Sequence, residues 1–244
     1  MTRFQAFGPE HLSLIALCVV VSVAIVLVGR RTGDSVVVRR TLAVVIPVFT
    51  VPLQVAQLLP GDFGLGTSLP LQVCDLTWML AIYALWTRRR WATTLLYFWG
   101  LTLVPQAILT PSLEQLFPDP RYFMFWGMHF LSVWAAVWLA ASGRREDGPD
   151  WRGYRTSVVI TLAWVAAVMV LNAVLGTNYG YFNRKPSVGT ALDYLGPWPV
   201  YVVAEVAVVA LAWALITLPW TGRASRTSHH AALHPAGDQS SLDA

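Results

Sequence analysis

Charge is scarce in this chain. Only 12% of its 244 residues are Asp, Glu, Lys or Arg, which is about half the share found in an average soluble domain. Hydrophobic residues make up 56%, and the mean hydropathy is +0.54. So few charges cannot cover the surface of a globular protein, which excludes a soluble enzyme. The composition predicts an all-α polytopic membrane protein whose helices are surrounded by lipid.

Cysteine and lysine are nearly absent. Cys18 and Cys74 lie in separate apolar runs, so neither a disulfide framework nor a zinc cage organises the fold. The single lysine, Lys185, lies in a predicted loop. This excludes a retinal protein, because retinal requires a lysine inside the last helix. Phosphate-binding glycine loops, His-Glu-x-x-His helices and Cys-x-x-Cys pairs are also missing, and we expect no metal and no cofactor.

Seven apolar runs are long enough for a spanning helix, which needs about 20 residues. They predict a single seven-helix transmembrane domain over residues 1–220. The first run is too long for a signal-peptide core and precedes Arg30 and Arg31, so we expect it to be retained. The predicted helices are about 11–29, 41–59, 69–86, 91–110, 122–141, 156–175 and 197–218.

Basic residues are divided unequally between the two sets of loops. Thirteen lie in one set and four in the other, and basic residues near helix ends are retained in the cytoplasm. We therefore expect the N-terminus outside and the C-terminus inside a bacterial cell (inner) membrane. The arginines form short clusters rather than a stripe, which argues against nucleic acid as a partner. Residues 221–244 lack apolar periodicity and predict a disordered cytoplasmic tail, whose histidines lack the surroundings of a metal site.

Polar residues at membrane depth concentrate in the outer halves of the predicted helices. A carboxylate or imidazole there costs about 2.5 kcal/mol or more, and each one needs a partner or water. All lie within about 12 Å of the outer boundary. The asymmetry predicts a polar cavity that opens outward. The predicted lining is Gln54, Gln57, Gln72, Gln106, Asn172, Asn178, Tyr201 and Glu205, and the candidate chemical groups at the same level are Cys74, Asp75 and His129.

Helix breakers occur near the same level. Pro52 and Pro105 each remove a backbone donor, and we expect them to bend helices two and four. The outer loops are rich in turn-forming and aromatic residues, which predicts a structured lid rather than slack linkers. These loops are residues 59–64, 110–111, 117–120 and 176–196.

Cys74 and His129 lie at compatible depths in helices three and five. A thiol activated by an imidazole is a nucleophile, but Cys74 could equally be a small apolar residue at a helix interface, and His129 a hydrogen-bonded packing residue. Asp75 could orient a histidine or pair with an arginine. Glu205 could line the cavity or be a carboxyl kept neutral by burial. A disulfide between Cys18 and Cys74 stays open and would need Cα atoms within about 7 Å.

An ordered set of short motifs resembles the YwaF-like family of bacterial multi-pass membrane proteins. The resemblance covers nearly the whole chain from His11 to the last helix. The motifs are residues 69–76 (Leu-Pro-Leu-Gln-Val-Cys-Asp-Leu), 105–111, 125–129, 177–179, 184–186, 192–193 and 196–199.

The YwaF-like family is distantly similar to a eukaryotic transmembrane acyltransferase family. That family remodels ether phospholipids with a membrane-embedded cysteine and a histidine. By motif, the resemblance implies that these residues correspond to Cys74 and His129. One position departs from the pattern, since many relatives are expected to have a histidine where this chain has Gln72.

Two functions are compatible with these residues. The first is acyl transfer or ester cleavage on a membrane lipid, with Cys74 as nucleophile, His129 as base and Asp75 or Glu205 as the orienting carboxylate. The second is a transporter or binding protein that uses the same cavity for a lipid, an acyl chain or a small molecule without covalent chemistry. Polarity confined to the outer half favours a one-sided enzyme or receptor over a transport path. Oligomeric state stays open.

Overall fold

The structure is a computed structural model that describes residues 4–113, 115–143, 147–185 and 191–221, and within these ranges all regular secondary structure is helical. A π-helical segment, Trp99–Leu103, joins α4 to α5, and two 3-10 helices, Tyr179–Tyr181 and Ala191–Leu195, precede α8. The predicted tail lies outside the described ranges beyond Thr221. The α-helices are α1 (Pro9–Thr32), α2 (Val36–Gln57), α3 (Val73–Thr87), α4 (Arg90–Phe98), α5 (Val104–Leu109), α6 (Pro120–Ser142), α7 (Trp151–Leu175) and α8 (Val200–Thr221).

Six helical stretches in the described part of the chain are long and apolar enough to cross a membrane. They are α1, α2, the continuous stretch Arg90–Leu109, α6, α7 and α8. The prediction of an all-helical, multi-pass membrane protein is confirmed at this level. The exception is the third predicted span, because α3 has only 15 residues. At 1.5 Å per residue it is about 22 Å long, which is about 8 Å less than the hydrocarbon core.

The short α3 corrects the prediction that helix three begins at Leu69. Residues 69–72 are not helical, and the helix begins at Val73. Pro70 lacks a backbone N–H and disfavours helical backbone at the residue before it. The carboxylate of Asp75 then accepts the backbone N–H of Gln72 at 3.1 Å, which fixes the start of the helix. Apolar composition alone does not show such a start signal.

Several other boundaries differ from the predictions, including the start of α7 at Trp151 rather than at residue 156. Helix α2 begins five residues earlier than expected, at Val36, because Ser35 caps it by accepting the Val38 N–H. Arg39 and Arg40 therefore lie in its first turns and not in a loop. Helix four is interrupted by the π segment before Pro105, and the Val104 N–H reaches back five residues to the Trp99 carbonyl. The extra residue in this turn accommodates a proline that cannot donate to the regular ladder.

Helix α6 is the centre of the bundle. One of its faces packs with α2 and α3 through buried residues that include Met128, Leu131 and Trp138. Another face packs with α1 and α5 through Trp126 and Phe130. A third stripe meets the π segment so closely that a methyl group at Gly100 would lie 2.7 Å from the Ala136 side chain. Burial on three sides explains why α6 is apolar almost all round.

Ion pairs connect the loops at each of the two ends of the bundle. At the end we call the arginine end, Arg88 pairs with Asp34 at 2.5 Å and with Asp147 at 3.4 Å, which joins three loops. At the opposite end, which we call the lid end, Arg121 pairs with Asp62 at 3.4 Å. The two groups correspond to the two sets of loops separated by their basic residue content, and α3 leads from one end to the other.

Reporter fusions test which end faces the cytoplasm. The distribution of arginine predicts that a reporter active only in the cytoplasm works when fused after Arg90, Arg152 or Thr221, and is silent when fused near Gly64 or Asp119. Activity at Asp119 would contradict the orientation and would place the lid end inside the cell.

Candidate functional site

Cys74 lies in the first turn of α3, at the lid end. As the second residue of the helix, it belongs to the turn whose backbone N–H groups have no acceptor within the helix. Its side chain is partly exposed, whereas Cys18 is buried in the α1–α6 cluster. Both thiols are free, so the disulfide left open by the sequence is not formed. Cys74 packs against the cluster formed by α2, α3 and α6.

The residues immediately before α3, 65–72, are not helical and continue the chain beyond the start of the short helix. Backbone groups in this segment would be costly at membrane depth without partners, and side chains from other elements supply them. Gln54 of α2 donates to the Ser68 carbonyl at 2.9 Å. The hydroxyl of Tyr179 donates to the Leu65 carbonyl at 2.7 Å and accepts the Leu69 N–H at 3.2 Å. Burial raises the pKa of Tyr179 above its usual value, which keeps this hydroxyl protonated.

Asn172 fixes the segment 177–185, which we call the lid. Its side-chain oxygen accepts hydrogen bonds from the Thr177 hydroxyl and the Tyr179 N–H, both at 2.8 Å. Its nitrogen donates to the Tyr179 carbonyl at 2.9 Å and to the Asn183 side chain at 3.0 Å. All four positions of a buried amide are thus used, and the expected structured lid is present in this segment.

Gln72 connects the lid to the start of α3. Its side-chain oxygen accepts the Gly180 N–H at 2.9 Å. Gly180 has φ +68, and a side chain there would collide with the Phe182 ring, so glycine is required for the turn. The residue immediately before α3 therefore holds the lid two positions away from Cys74.

Gln72 also allows a direct test of this connection. Replacing Gln72 with leucine should release the Gly180 N–H, at a cost of about 1–3 kcal/mol for the unpaired group. Gln72→His should preserve the bond, because a neutral imidazole nitrogen can accept it. We expect hydrogen–deuterium exchange of residues 177–183 to accelerate in the leucine variant only. Equal exchange in the leucine variant and the unmodified protein would show that Gln72 does not hold the lid.

His129 is buried in the middle of α6 with one ring nitrogen occupied. Its Nδ1 lies 2.6 Å from the Phe125 carbonyl oxygen, and its ring stacks on the Phe125 ring at 4.3 Å. A carbonyl only accepts, so Nδ1 bears the hydrogen and Nε2 of the neutral ring bears the lone pair. The orienting group of His129 is therefore a backbone carbonyl, whereas the Asp75 carboxylate is used at the start of α3.

Buried polar atoms without partners lie on either side of His129. The indole nitrogen of Trp126 and the hydroxyl of Ser132, three residues before and after it, have no hydrogen-bond partner among the described residues. Ser132 belongs to the stripe of α6 that faces Gly100 of the π segment. Buried donors of this kind are normally satisfied, and these two lie on different faces of α6, because Trp126 packs with α1 and α5.

The structure does not join Cys74 and His129 by a hydrogen bond. Cys74 packs against a cluster that contains Met128 and Leu131, which bracket His129 along α6. His129 itself lies between Phe125 and Phe130 on the side of α6 that packs with α1 and α5, so the structure does not bring the two side chains together.

The other predicted lining residues are spread over the lid end. Gln54, Asn172 and Gln72 hold backbone at that end, as described above, and Asn178 exchanges hydrogen bonds with the backbone of Arg184. Tyr201 donates to the Tyr181 carbonyl. Gln57 is half-buried and Gln106 is exposed. Glu205 is half-buried, and its Oε2 has no partner in the described structure.

Sequence reasoning missed the role of His11. This residue is fully buried; its Nδ1 accepts the Phe7 N–H at 2.8 Å and its Nε2 lies 2.7 Å from the Ile108 carbonyl. Since both ring nitrogens are occupied, His11 anchors the start of α1 to the end of α5. Its position at a predicted helix start gave no signal of a partner 97 residues away.

Apolar helices long enough to cross a membrane, joined at the lid end by a hydrogen-bonded loop beside the start of α3, define a multi-pass membrane protein. The model of the TMEM164 family matches residues 6–217. The chain belongs to the TMEM164 family, a family of transmembrane proteins. No curated protein and no solved structure matches it.

Proposed function

We propose that this protein transfers acyl groups from membrane phospholipids through a thioester on Cys74, with His129 as the general base. The observation that carries this proposal is the placement of Cys74 at the second position of a helix about 8 Å too short to span the hydrocarbon. We infer that the missing length lies at the lid end, which places the thiol below the membrane surface. That depth matches the ester groups of a phospholipid rather than its headgroup.

In the first half of the reaction, the Cys74 sulfur attacks the ester carbonyl carbon while His129 Nε2 takes the thiol proton. The new C–S bond places a negative charge on the carbonyl oxygen. The backbone N–H groups of Val73 and Cys74 and the positive end of the α3 dipole stabilise that charge. Collapse of this tetrahedral intermediate breaks the ester C–O bond, and the leaving lysolipid alkoxide takes the proton from His129. An acyl thioester on Cys74 remains.

In the second half, the hydroxyl group of an acceptor lipid gives its proton to His129 Nε2 and attacks the thioester. The C–S bond breaks, and the proton returns to the Cys74 thiolate. With water as acceptor the same steps give ester cleavage. Ser132, one turn after His129, has a buried hydroxyl without a partner in the described structure, and this hydroxyl is a candidate donor to an ester or hydroxyl oxygen.

The lid supports transfer over hydrolysis. Buried hydrogen bonds of Asn172 and Tyr179 hold it in place, and Gln72 fastens it beside Cys74. We infer that the lid, held beside the start of α3, limits the access of bulk water to the thioester. We further infer that the chain is a YwaF-like bacterial member of its family in the inner membrane, which the motif resemblance and the arginine-rich loops favour.

Trapping of the acyl enzyme tests the proposal. Purified protein is incubated with phospholipid vesicles, and its intact mass is measured. We expect a mass increase equal to one acyl chain, mapped to Cys74 and removed by hydroxylamine, which cleaves thioesters. A Cys18→Ala protein should form the same adduct. Absence of an adduct, together with unmodified lipids that co-purify with the protein, would overturn acyl transfer in favour of lipid binding without covalent chemistry.

A further inference from the structure

Arg40 is stacked on Trp86 at the arginine end. The guanidinium carbon lies 3.5 Å from the centre of the Trp86 ring, which is half-exposed at 52%. Arg40 belongs to the first turns of α2 and Trp86 to the last turn of α3. No described residue gives the Arg40 guanidinium a hydrogen bond or an ion pair, and its NH1 nitrogen is buried without a partner.

Three neighbouring arginines, unlike Arg40, have acceptors within the described part of the protein. Arg39 lies 2.9 Å from the Asp34 carboxylate and donates to the Leu85 carbonyl at 2.6 Å. Arg88 pairs with Asp34 and Asp147, and Arg90 pairs with Asp150. Arg40 is thus a fixed cation with five N–H donors and no acceptor in the described part of the protein. A partly buried charged donor without a hydrogen-bond acceptor destabilises the protein, and a bound acceptor would remove that cost.

Exposed aromatic residues continue from Trp86 along the last turns of α3 and onto α4. Tyr83, one turn before Trp86, contacts Trp91 of α4 with ring centres 5.4 Å apart. All three rings are exposed at the surface of the bundle. Tryptophan and tyrosine are enriched where the hydrocarbon meets the headgroups. A cation stacked on an exposed indole in this belt therefore lies at the level of phospholipid phosphates.

We propose that Arg40 and Trp86 form a binding site for the phosphate group of an anionic phospholipid at the arginine end. The stacked indole holds the guanidinium flat and partly desolvated, which strengthens its charge-assisted hydrogen bonds to phosphate oxygens. The phosphate supplies the acceptor that the protein lacks. Anionic lipid is enriched in the cytoplasmic leaflet, which is where the distribution of arginine places this end. The site is separate from Cys74, which lies at the opposite end of α3.

Native mass spectrometry of the full chain in detergent micelles tests this site. The protein is titrated with phosphatidylglycerol or phosphatidylcholine, and retained lipid is counted. We expect Arg40→Gln and Trp86→Leu to weaken phosphatidylglycerol retention about tenfold, the scale of one charge-assisted contact. Arg40→Lys should fall between these variants and the unmodified protein, because it keeps the charge without the planar stack.

Arg89→Gln is the matched control. Arg89 is an exposed arginine of the α3–α4 connection, so its loss should change retention less than about threefold. Equal losses for Arg89→Gln and Arg40→Gln would overturn the site in favour of general charge attraction. Unchanged retention in every variant would show that Arg40 only covers Trp86. Displacement of phosphatidylglycerol by millimolar inorganic phosphate would assign the site to a free anion, which also overturns the lipid proposal. Circular dichroism checks the fold, and Arg40→Lys decides the outcome if Arg40→Gln does not fold.

Discussion

Replacing Cys74 with alanine should abolish acyl transfer by the purified protein while leaving its helical content and lipid binding intact. The thiol forms the bond to the acyl group in the proposed mechanism, and alanine cannot replace it. Cys74→Ser should also lose turnover, because a hydroxyl has a much higher pKa than a thiol and needs a stronger base. The measurement is the rate at which labelled acyl chains move between phospholipids in mixed vesicles.

His129→Gln should lower the same rate by about 10²–10⁴-fold, which is the usual contribution of a general base. The double variant Cys74→Ser with His129→Gln should be no slower than the slower single variant, because residues that act as a unit are not additive. Cys18→Ala, at a buried cysteine in a different cluster, is the control and should retain the rate. Full transfer by Cys74→Ala would refute the thioester mechanism.

Replacing Asn172 with leucine should destabilise the protein by about 2–5 kcal/mol. The substitution leaves the buried N–H and carbonyl of Tyr179 without partners, and each unpaired group costs about 1–3 kcal/mol. It should also free the lid, so that a membrane-impermeant maleimide labels Cys74 faster in a Cys18→Ala background. Stability is measured by denaturation in micelles, and labelling by mass.

Asn178→Ala is the matched control for that experiment. Asn178 has the same amide, six residues further along the chain, and its hydrogen bonds to the Arg184 backbone lie at the surface. Exposed hydrogen bonds contribute about 1 kcal/mol or less. Equal stability and equal labelling in the two variants would show that Asn172 does not hold the lid.

The sequence was sufficient for the helical architecture because each span requires a continuous apolar run, and hydropathy measures this directly. It failed at α3 because Leu69 and Leu71 are as apolar as helical residues. The start of the helix depends on Pro70 and on the hydrogen bond between the Gln72 N–H and Asp75. The early start of α2 at Val36 was missed because Arg39 and Arg40 interrupt the apolar run, although the Ser35 cap lies before them.

The candidate site was only partly accessible to sequence reasoning. The cost of burying polar groups correctly marked Gln54 and Asn172 as residues that need partners. Those partners are backbone groups of loops, which no periodicity reveals, and a role of these residues in lining a cavity stays a prediction. The hydrogen that the Phe125 carbonyl fixes on His129 Nδ1 follows from helix geometry, because the two residues are four apart. The hydrogen bond from the Gln72 N–H to the Asp75 carboxylate could not be predicted, because it forms at a helix start that the apolar pattern does not locate.

The π segment makes the chain respond unequally to deletions and insertions at this point. Its turn already holds one extra residue, so deleting one residue from Trp99–Leu103 would restore a regular helix and leave α5 facing the same way. Ile108 would then keep its contact with His11, and the start of α1 would keep its anchor on α5. Inserting a residue would instead turn α5 by about 100° and move the Ile108 carbonyl away from His11. The fourth span therefore tolerates the loss of a residue in this turn better than the gain of one.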